Sequence, residues 1–290
     1  MLSSAQRYKN SMNSQIDTRF ELLEKLRQQI LQDAITGKLS EKWRKENPNI
    51  ESAEVLLEKI KAEKERLVRE GKIKKQKTLP PITEEKKPFE LPEGWVWCRL
   101  GDIADITSSK RIFAKDYISK GVPFYRSKEI GHLASGKPDN PEYYISLERY
   151  EEIKNKYAIP RKGDLLVTSV GSIGNSWIVD DRKFYFKDGN ITHLSNYLDV
   201  NIKYIQKFIT SKLFYTQIAQ NLLGTVYNAL TIIKFKRLLF PLPPHAEQQY
   251  IVERIESLFA KLDRIKELNT EDQTNIDLLN QVVLKEMFEE

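Results

Sequence analysis

The chain has 290 residues, 40% of them hydrophobic and 30% charged, enough for one or two domains with real cores. A single cysteine, Cys98, excludes an internal disulfide framework and a cysteine-rich zinc site. No apolar run is long enough to span a bilayer and residues 1–10 lack the apolar stretch of a signal peptide, so a cytoplasmic protein without a membrane partner is expected. The net charge of +6 is compatible with a polyanionic partner but does not specify one.

In chain order, the first pattern is helical. Over residues 16–38 the apolar positions Ile16, Phe20, Leu23, Leu26, Ile30 and Ala34 share one face, and Gly37 is placed to stop the helix. A second helix is predicted from Ser52, an N-cap residue, through Leu56, Leu57, Ile60 and Leu67 to about Gly71. Residues 72–87 are rich in lysine and interrupted by Pro80 and Pro81, which reads as an extended connector.

From Leu91 the texture changes to short β-branched and aromatic runs at 95–100, 122–127, 164–170 and 177–179, bounded by Gly, Asp, Asn and Ser. Between them, 147–156 and 202–222 read as helices, the second capped by Asn201 and closed by Gly224. The expected organisation is an N-terminal helical region and basic linker (1–90), a globular domain (91–240) and a C-terminal long helix (241–290). The fold class is α+β: one mixed α/β domain flanked by long helices that form a coiled-coil-like spacer.

The last segment carries the strongest pattern. The prolines of 241–244 cannot continue a helix, and Glu247 suits a first turn. Beyond them Ile251, Ile255, Leu258, Leu262, Ile265, Asn269, Asp272, Ile276, Leu279 and Val283 recur at alternating three- and four-residue steps, the seam of a helix that packs along another. Asn269 is a polar break of the kind that fixes register. Residues 26–34 and 279–287 also share a faint pattern, a leucine followed by polar and apolar pairs.

Taken in order, residues 26–39, 61–75, Leu91-Pro92-Glu93-Gly94-Trp95, Gly163-Asp164-Leu165-Leu166, Gly171-Ser172-Ile173-Gly174 and 241–252 resemble the specificity subunits of Type I restriction–modification systems. The resemblance spans almost the whole chain and implies a non-catalytic DNA reader. In that family, target recognition domains each read half of a bipartite site, and long helices space the domains and dock modification subunits. This chain has room for one such domain, so the resemblance implies a half-subunit that pairs with a second copy. Its interface would use Ile16, Leu23 and Ile30 with the seam residues of the C-terminal helix. The implied partners are double-stranded DNA, the modification subunits and, through them, the restriction subunit. S-adenosylmethionine, ATP and Mg are expected on those partners and no cofactor on this chain.

Reading bases requires fixed donors and acceptors on loops of a rigid domain, and holding phosphates requires cations, small hydroxyls and open backbone amides. Four segments fit: Ser109, Lys110 and Arg111; Arg126, Ser127 and Lys128; Ser169, Ser172 and Asn175; Tyr227 and Asn228. Each has a plainer reading. Gly171 and Gly174 suit a hairpin turn, and the four cations suit an ordinary solvated surface. Two alternatives to DNA reading stand beside it. Asp139, Glu152 and Lys154 loosely match a Mg-dependent nuclease pattern, although 147–156 reads as a surface helix. A coiled-coil adaptor that binds no DNA would need only the helices. His132, His193 and His245 lack metal-ligand spacing, and His193 reads as a strand residue. Trp95 and Trp97 are read as core. No catalytic constellation is found.

Overall fold

The computed structural model describes residues 2–76, 79–157, 159–196, 198, 200–222 and 229–288. The chain opens with α1 (Leu2–Ile35), α2 (Glu41–Glu46) and α3 (Ala53–Arg69). α1 begins well before the first apolar repeat, because solvated helical residues need no apolar face once the helix has nucleated. It ends where expected, with Gly37 at φ +76. α3 starts after Ser52 and ends before Gly71 at φ +70. α2 was not anticipated; its six residues bury no side chain and so carry no periodic signal.

The head contains β1 (Val96–Arg99), α4 (Leu100–Ile103), β2 (Asp105–Thr107), β3 (Val122–Tyr125), α5 (Ser127–Ala134), β4 (Tyr143–Ile145) and α6 (Leu147–Lys156). It continues with β5 (Leu165–Thr168), β6 (Ser176–Ile178), β7 (Tyr185–Phe186), β8 (Ile191–Ser195), α7 (Ile202–Ile209), α8 (Lys212–Leu222), α9 (Ile232–Arg237) and β9 (Leu239–Leu242). α10 (His245–Phe288) closes the chain. The predicted 202–222 helix is split. Thr210 donates its hydroxyl to the Lys207 carbonyl (2.9 Å) and the Ser211 hydroxyl accepts from the Phe214 amide (3.3 Å), local bonds that compete with the helix ladder.

Three sheets form. An antiparallel sheet in the order β2-β8-β5-β6 is the centre of the head; β4-β3-β7 lies beside it, with β3 and β7 parallel; β1 pairs antiparallel with β9. The β1–β9 pair sets Val96 opposite Leu242 and Arg99 opposite Leu239, so the head's first and last strands close on each other. The principal core runs from Leu31 and Ile35 through Trp95, Trp97, Ile106 and Phe240 to Ile251 and Ile255, joining helices and head; both tryptophans are buried as read.

Three of the family-like motifs meet at one junction. Glu247, in the first turn of α10 and fully buried, accepts from Ser40 Oγ (2.6 Å), Arg44 Nη1 (2.6 Å) and Trp95 Nε1 (2.9 Å). A Cβ on Gly37 would lie 2.4 Å from the Pro92 ring, so only glycine fits there. Gln248 then reaches back to the Pro243 carbonyl and accepts from the Asn201 amide. The motifs that carry the resemblance are therefore the joint between helices and head.

Beyond the joint, α10 lies along α1. Arg27 pairs with Asp263, Arg19 with Asp272 (3.6 Å) and Lys9 with Asp277 (3.1 Å), so rising numbers on α1 meet falling numbers on α10 and the helices run antiparallel. Ile16, Leu23, Ile251, Ile255, Leu262 and Asn269 are buried in this seam; Ile30, Leu258 and Ile276 are partly buried. The seam expected to meet a second copy is thus filled by α1 of the same chain. Ile265 and Leu279 are exposed, and the Val283 side chain lies outside the described set. Among the described residues no helix is long and apolar enough to cross a membrane.

Candidate nucleic-acid interface

In the antiparallel order β2-β8-β5-β6, the C-terminal ends of β2 and β5 and the N-terminal ends of β8 and β6 face the same way. The segments 108–111 and 168–175 therefore leave the sheet at one end. β3 delivers 126–128 to the same place, since the Lys187 amide just past β7 donates to the Tyr125 carbonyl (2.8 Å). Topology, more than any one contact, gathers the three described segments.

Specific bonds then fix them. Tyr185, buried in β7, clamps the Lys110 peptide: its hydroxyl accepts from the Lys110 amide (2.7 Å) and donates to the Lys110 carbonyl (3.2 Å). Burial pushes this phenol up to about 12. Arg111, two-thirds exposed, donates from Nε to Asp188 (2.8 Å), which holds its base while its other donors face solvent. The Lys110 ammonium lies over the Tyr157 ring at 5.5 Å. Ser127 Oγ donates to the Val170 carbonyl (3.4 Å), tying the third segment to the second, and the Ser169 amide donates to the Asn190 carbonyl (2.8 Å), next to Gly189, whose amide donates to Ser108 Oγ (3.3 Å).

The glycine-bearing turn has left-handed backbone at Gly171 (φ +75) and Gly174 (φ +96). A Cβ at Gly174 would come within 2.8 Å of the Tyr215 hydroxyl, so the turn packs against α8. Ser172 is exposed at its tip and Asn175 is half-buried beside Gly131. Tyr227 and Asn228 lie outside the described residues; Ala229, next in the chain, bridges to Val170.

Two candidates point away from solvent. Ser169 is buried, and its hydroxyl bonds to the Thr192 hydroxyl (2.5 Å), so it supports the turn from beneath. Arg126 is turned inward: Nη2 bonds to Glu142 and lies 3.7 Å from the buried Glu129, and its guanidinium stacks on Tyr143 at 4.4 Å. In return, the Arg126 guanidinium holds the Glu142 carboxyl below its usual range. A cation facing two carboxylates offers little to a phosphate. Lys128 and Lys110 remain exposed. Tyr185, Asp188 and Asn190 were missed because positioning residues carry no motif.

The nuclease pattern does not assemble. Asp139 accepts from the Tyr125 hydroxyl and faces Arg182 (3.6 Å), whereas Glu152 pairs with Arg149 (2.7 Å) and Lys154 with Glu151 (3.7 Å) on the surface of α6. Among the described residues no group of three His, Cys, Asp or Glu is placed to hold a metal ion. His193 lies in β8, its Nε2 2.8 Å from the buried Asp164, which also accepts from the Arg161 and Asn196 amides. That pair locks β5 to β8.

The family described as the type I restriction modification DNA specificity domain matches residues 92–272. The chain is 34% identical over 275 residues to the type I restriction enzyme EcoAI specificity subunit and 30% identical over 283 residues to the EcoEI specificity subunit, both of Escherichia coli. These alignments cover 87% and 88% of this chain but 43% and 44% of the relatives, so the chain spans less than half their length. The HsdS subunit from Thermoanaerobacter tengcongensis shares the fold, with a TM-score of 0.50 at 18% identity over 97% of this chain and 57% of that one. A chain from a structure of type I R-M complex assembly and conformational transition gives 0.56 at 18% identity, covering 99% and 60%. With a family match across more than half of its length, the chain belongs to the type I restriction modification DNA specificity domain family.

Proposed function

We propose that this chain is a non-catalytic, cytoplasmic specificity subunit of a Type I restriction–modification complex whose single head reads one half of a bipartite DNA site. The observation that carries the reading is the convergence of 108–111, 126–128 and 168–175 at one end of the central sheet, in a member of a DNA specificity family. Ser109, Lys110, Arg111, Lys128, Ser172 and Asn175 face or border that end and are the proposed contacts. Two copies pair, and the helix pair presents docking surfaces for modification subunits, which bring S-adenosylmethionine and in turn recruit the restriction subunit with ATP and Mg.

The test pairs the chain with its modification subunit and maps methylated adenines by sequencing. An interrupted, symmetric site is expected. Arg111→Ala should relax the sequence read at one position by about 1–3 kcal/mol, whereas Lys128→Ala should weaken all DNA alike and lower the salt slope by about one. Binding that is insensitive to both sequence and salt would favour the adaptor reading.

A further inference from the structure

The charge of this protein is not concentrated at its candidate DNA end, where Arg111 and Arg126 both face carboxylates. It gathers in a cleft of about 930 Å3 between α3, residues 73–76 and 79–82, and β1. Seven lysine and arginine side chains line this cleft against two carboxylates, Glu65 and Asp102; two of the seven are neutralised from outside the lining, Lys61 by Glu58 (2.7 Å) and Lys87 by Glu84 (2.6 Å), which leaves a local excess of three. Its floor is apolar: Leu57, Val68, Ile73 and Trp97. β1 pairs only with β9 among the described residues, so its other edge lies open to the cleft.

The remaining cations are poorly answered from within. Lys64 reaches the Gly101 carbonyl and, at 3.3 Å, that of Asp102, and its side chain finds no carboxylate oxygen at bonding distance. Burial pushes the Lys64 pKa down, against the pull of Asp102 and Asp105. Arg99 bonds to the Pro80 carbonyl, and Lys74 and Lys75 are exposed on the rim. Gln76 reaches Asp105 (3.4 Å), which places the cleft at the start of β2, whereas the DNA-facing segments leave from its end.

A pocket of this size with an apolar floor and a few charged groups matches the anatomy of small-ligand sites. Duplex phosphates, held by exposed cations on a convex rim, would leave such a floor unfilled. We propose that the cleft binds an organic anion: a flat apolar body resting on Trp97 and Val68, with a phosphate, sulfonate or carboxylate held by Lys74, Lys75 and Arg99. The site is independent of the DNA reading, since neither shares residues with the other.

The probe is 8-anilinonaphthalene-1-sulfonate, titrated by fluorescence against the intact chain. Saturable binding at one site is expected, displaced by adenosine monophosphate but not by orthophosphate at the same concentration. Lys75→Glu with Arg99→Glu should weaken it by about tenfold or more, the scale of a lost charge pair near a surface. Lys74→Glu alone, at an exposed position, provides the same test should the double variant not fold, and Lys183→Glu, outside the cleft lining, should change nothing. Orthophosphate or duplex DNA displacing the probe as well as the nucleotide would overturn the proposal in favour of a plain polyanion surface. Affinity unchanged by the rim variants would overturn it outright.

Discussion

At the scale of single residues, the head's candidate interface depends on side chains set behind its loops. Tyr185 holds both polar groups of the Lys110 peptide, so Tyr185→Phe leaves a donor and an acceptor unpaired next to Arg111. A stability loss of about 1–3 kcal/mol is expected, measured by urea unfolding. The same phenol makes a pH prediction. Its folded value, about 12, lies above the ordinary 10.0 because burial disfavours the phenolate. Its contribution is therefore fully present below pH 10 and is lost as pH rises through 12. Burial raises Tyr125, Tyr204 and Tyr215 in the same direction. Unfolding free energy should stay level to about pH 10 and then fall, less steeply in Tyr185→Phe; equal slopes would remove Tyr185 from the cause. Glu247 is the larger single point of failure. Glu247→Ala strands Arg44, Ser40 and Trp95 Nε1 in a buried joint, and a loss of about 3–5 kcal/mol is expected in thermal or urea melts.

Elements differ in how far they can be read from sequence, and the reasons are physical. α3, α6 and α10 were legible because each lays an apolar stripe on a core or a partner, and the period survives in the sequence. β2, β4 and β7 were not: three or two residues cannot display alternation; β5, buried on both faces, showed instead as the continuous run at 164–170, and β8 only through His193. β9 was hidden by Pro241, which is tolerated because, among the described residues, β9 pairs on one side only. The same limit applied to the site. The three described loops were visible from small and basic residues, but whether a cation points outward, like Lys128, or inward, like Arg126, depends on Glu129 and Glu142 meeting it in space. The seam's polar break was legible, its partner was not. Asn269 is buried between α1 and α10 with its Nδ2 unbonded. Asn269→Leu should raise the stability of the helix pair by about 1–3 kcal/mol, the cost of an unsatisfied buried amide. A loss instead would mean that the amide is bonded in solution and sets register there, the use to which such residues are put in coiled coils.

For the whole molecule, the helix pair carries one more face than its own packing uses. Arg19, Leu22 and Leu26 on α1, and Ile265, Leu268 and Asp272 on α10, each follow i, i+3, i+7 spacing, so each trio forms one stripe. The Arg19–Asp272 bridge brings the two stripes to the same side of the antiparallel pair, with Leu22 opposite Leu268 and Leu26 opposite Ile265. All four apolar residues are 43–51% exposed. Scattered exposed leucines need no explanation, but four that meet across two helices form a patch of the kind that marks an interaction surface. A second copy can cover it by a two-fold contact in which the same patch meets itself, giving a four-helix spacer with one head at each end. α10 alone, 44 residues at about 1.5 Å each, is longer than the 34–36 Å between half-sites one DNA turn apart. Light scattering at micromolar concentration should therefore find a dimer, and Leu26→Glu with Ile265→Glu should reduce it to a monomer. Because both positions are solvated in the isolated chain, the variant's melting curve should stay within about 0.5 kcal/mol of the parent, which separates a lost interface from a lost fold. A parent that is already monomeric would end the self-pairing reading and leave the stripe to the modification subunit. Adding that subunit to parent and variant would decide the matter, since only a docking face for it would bind the parent and fail with the variant.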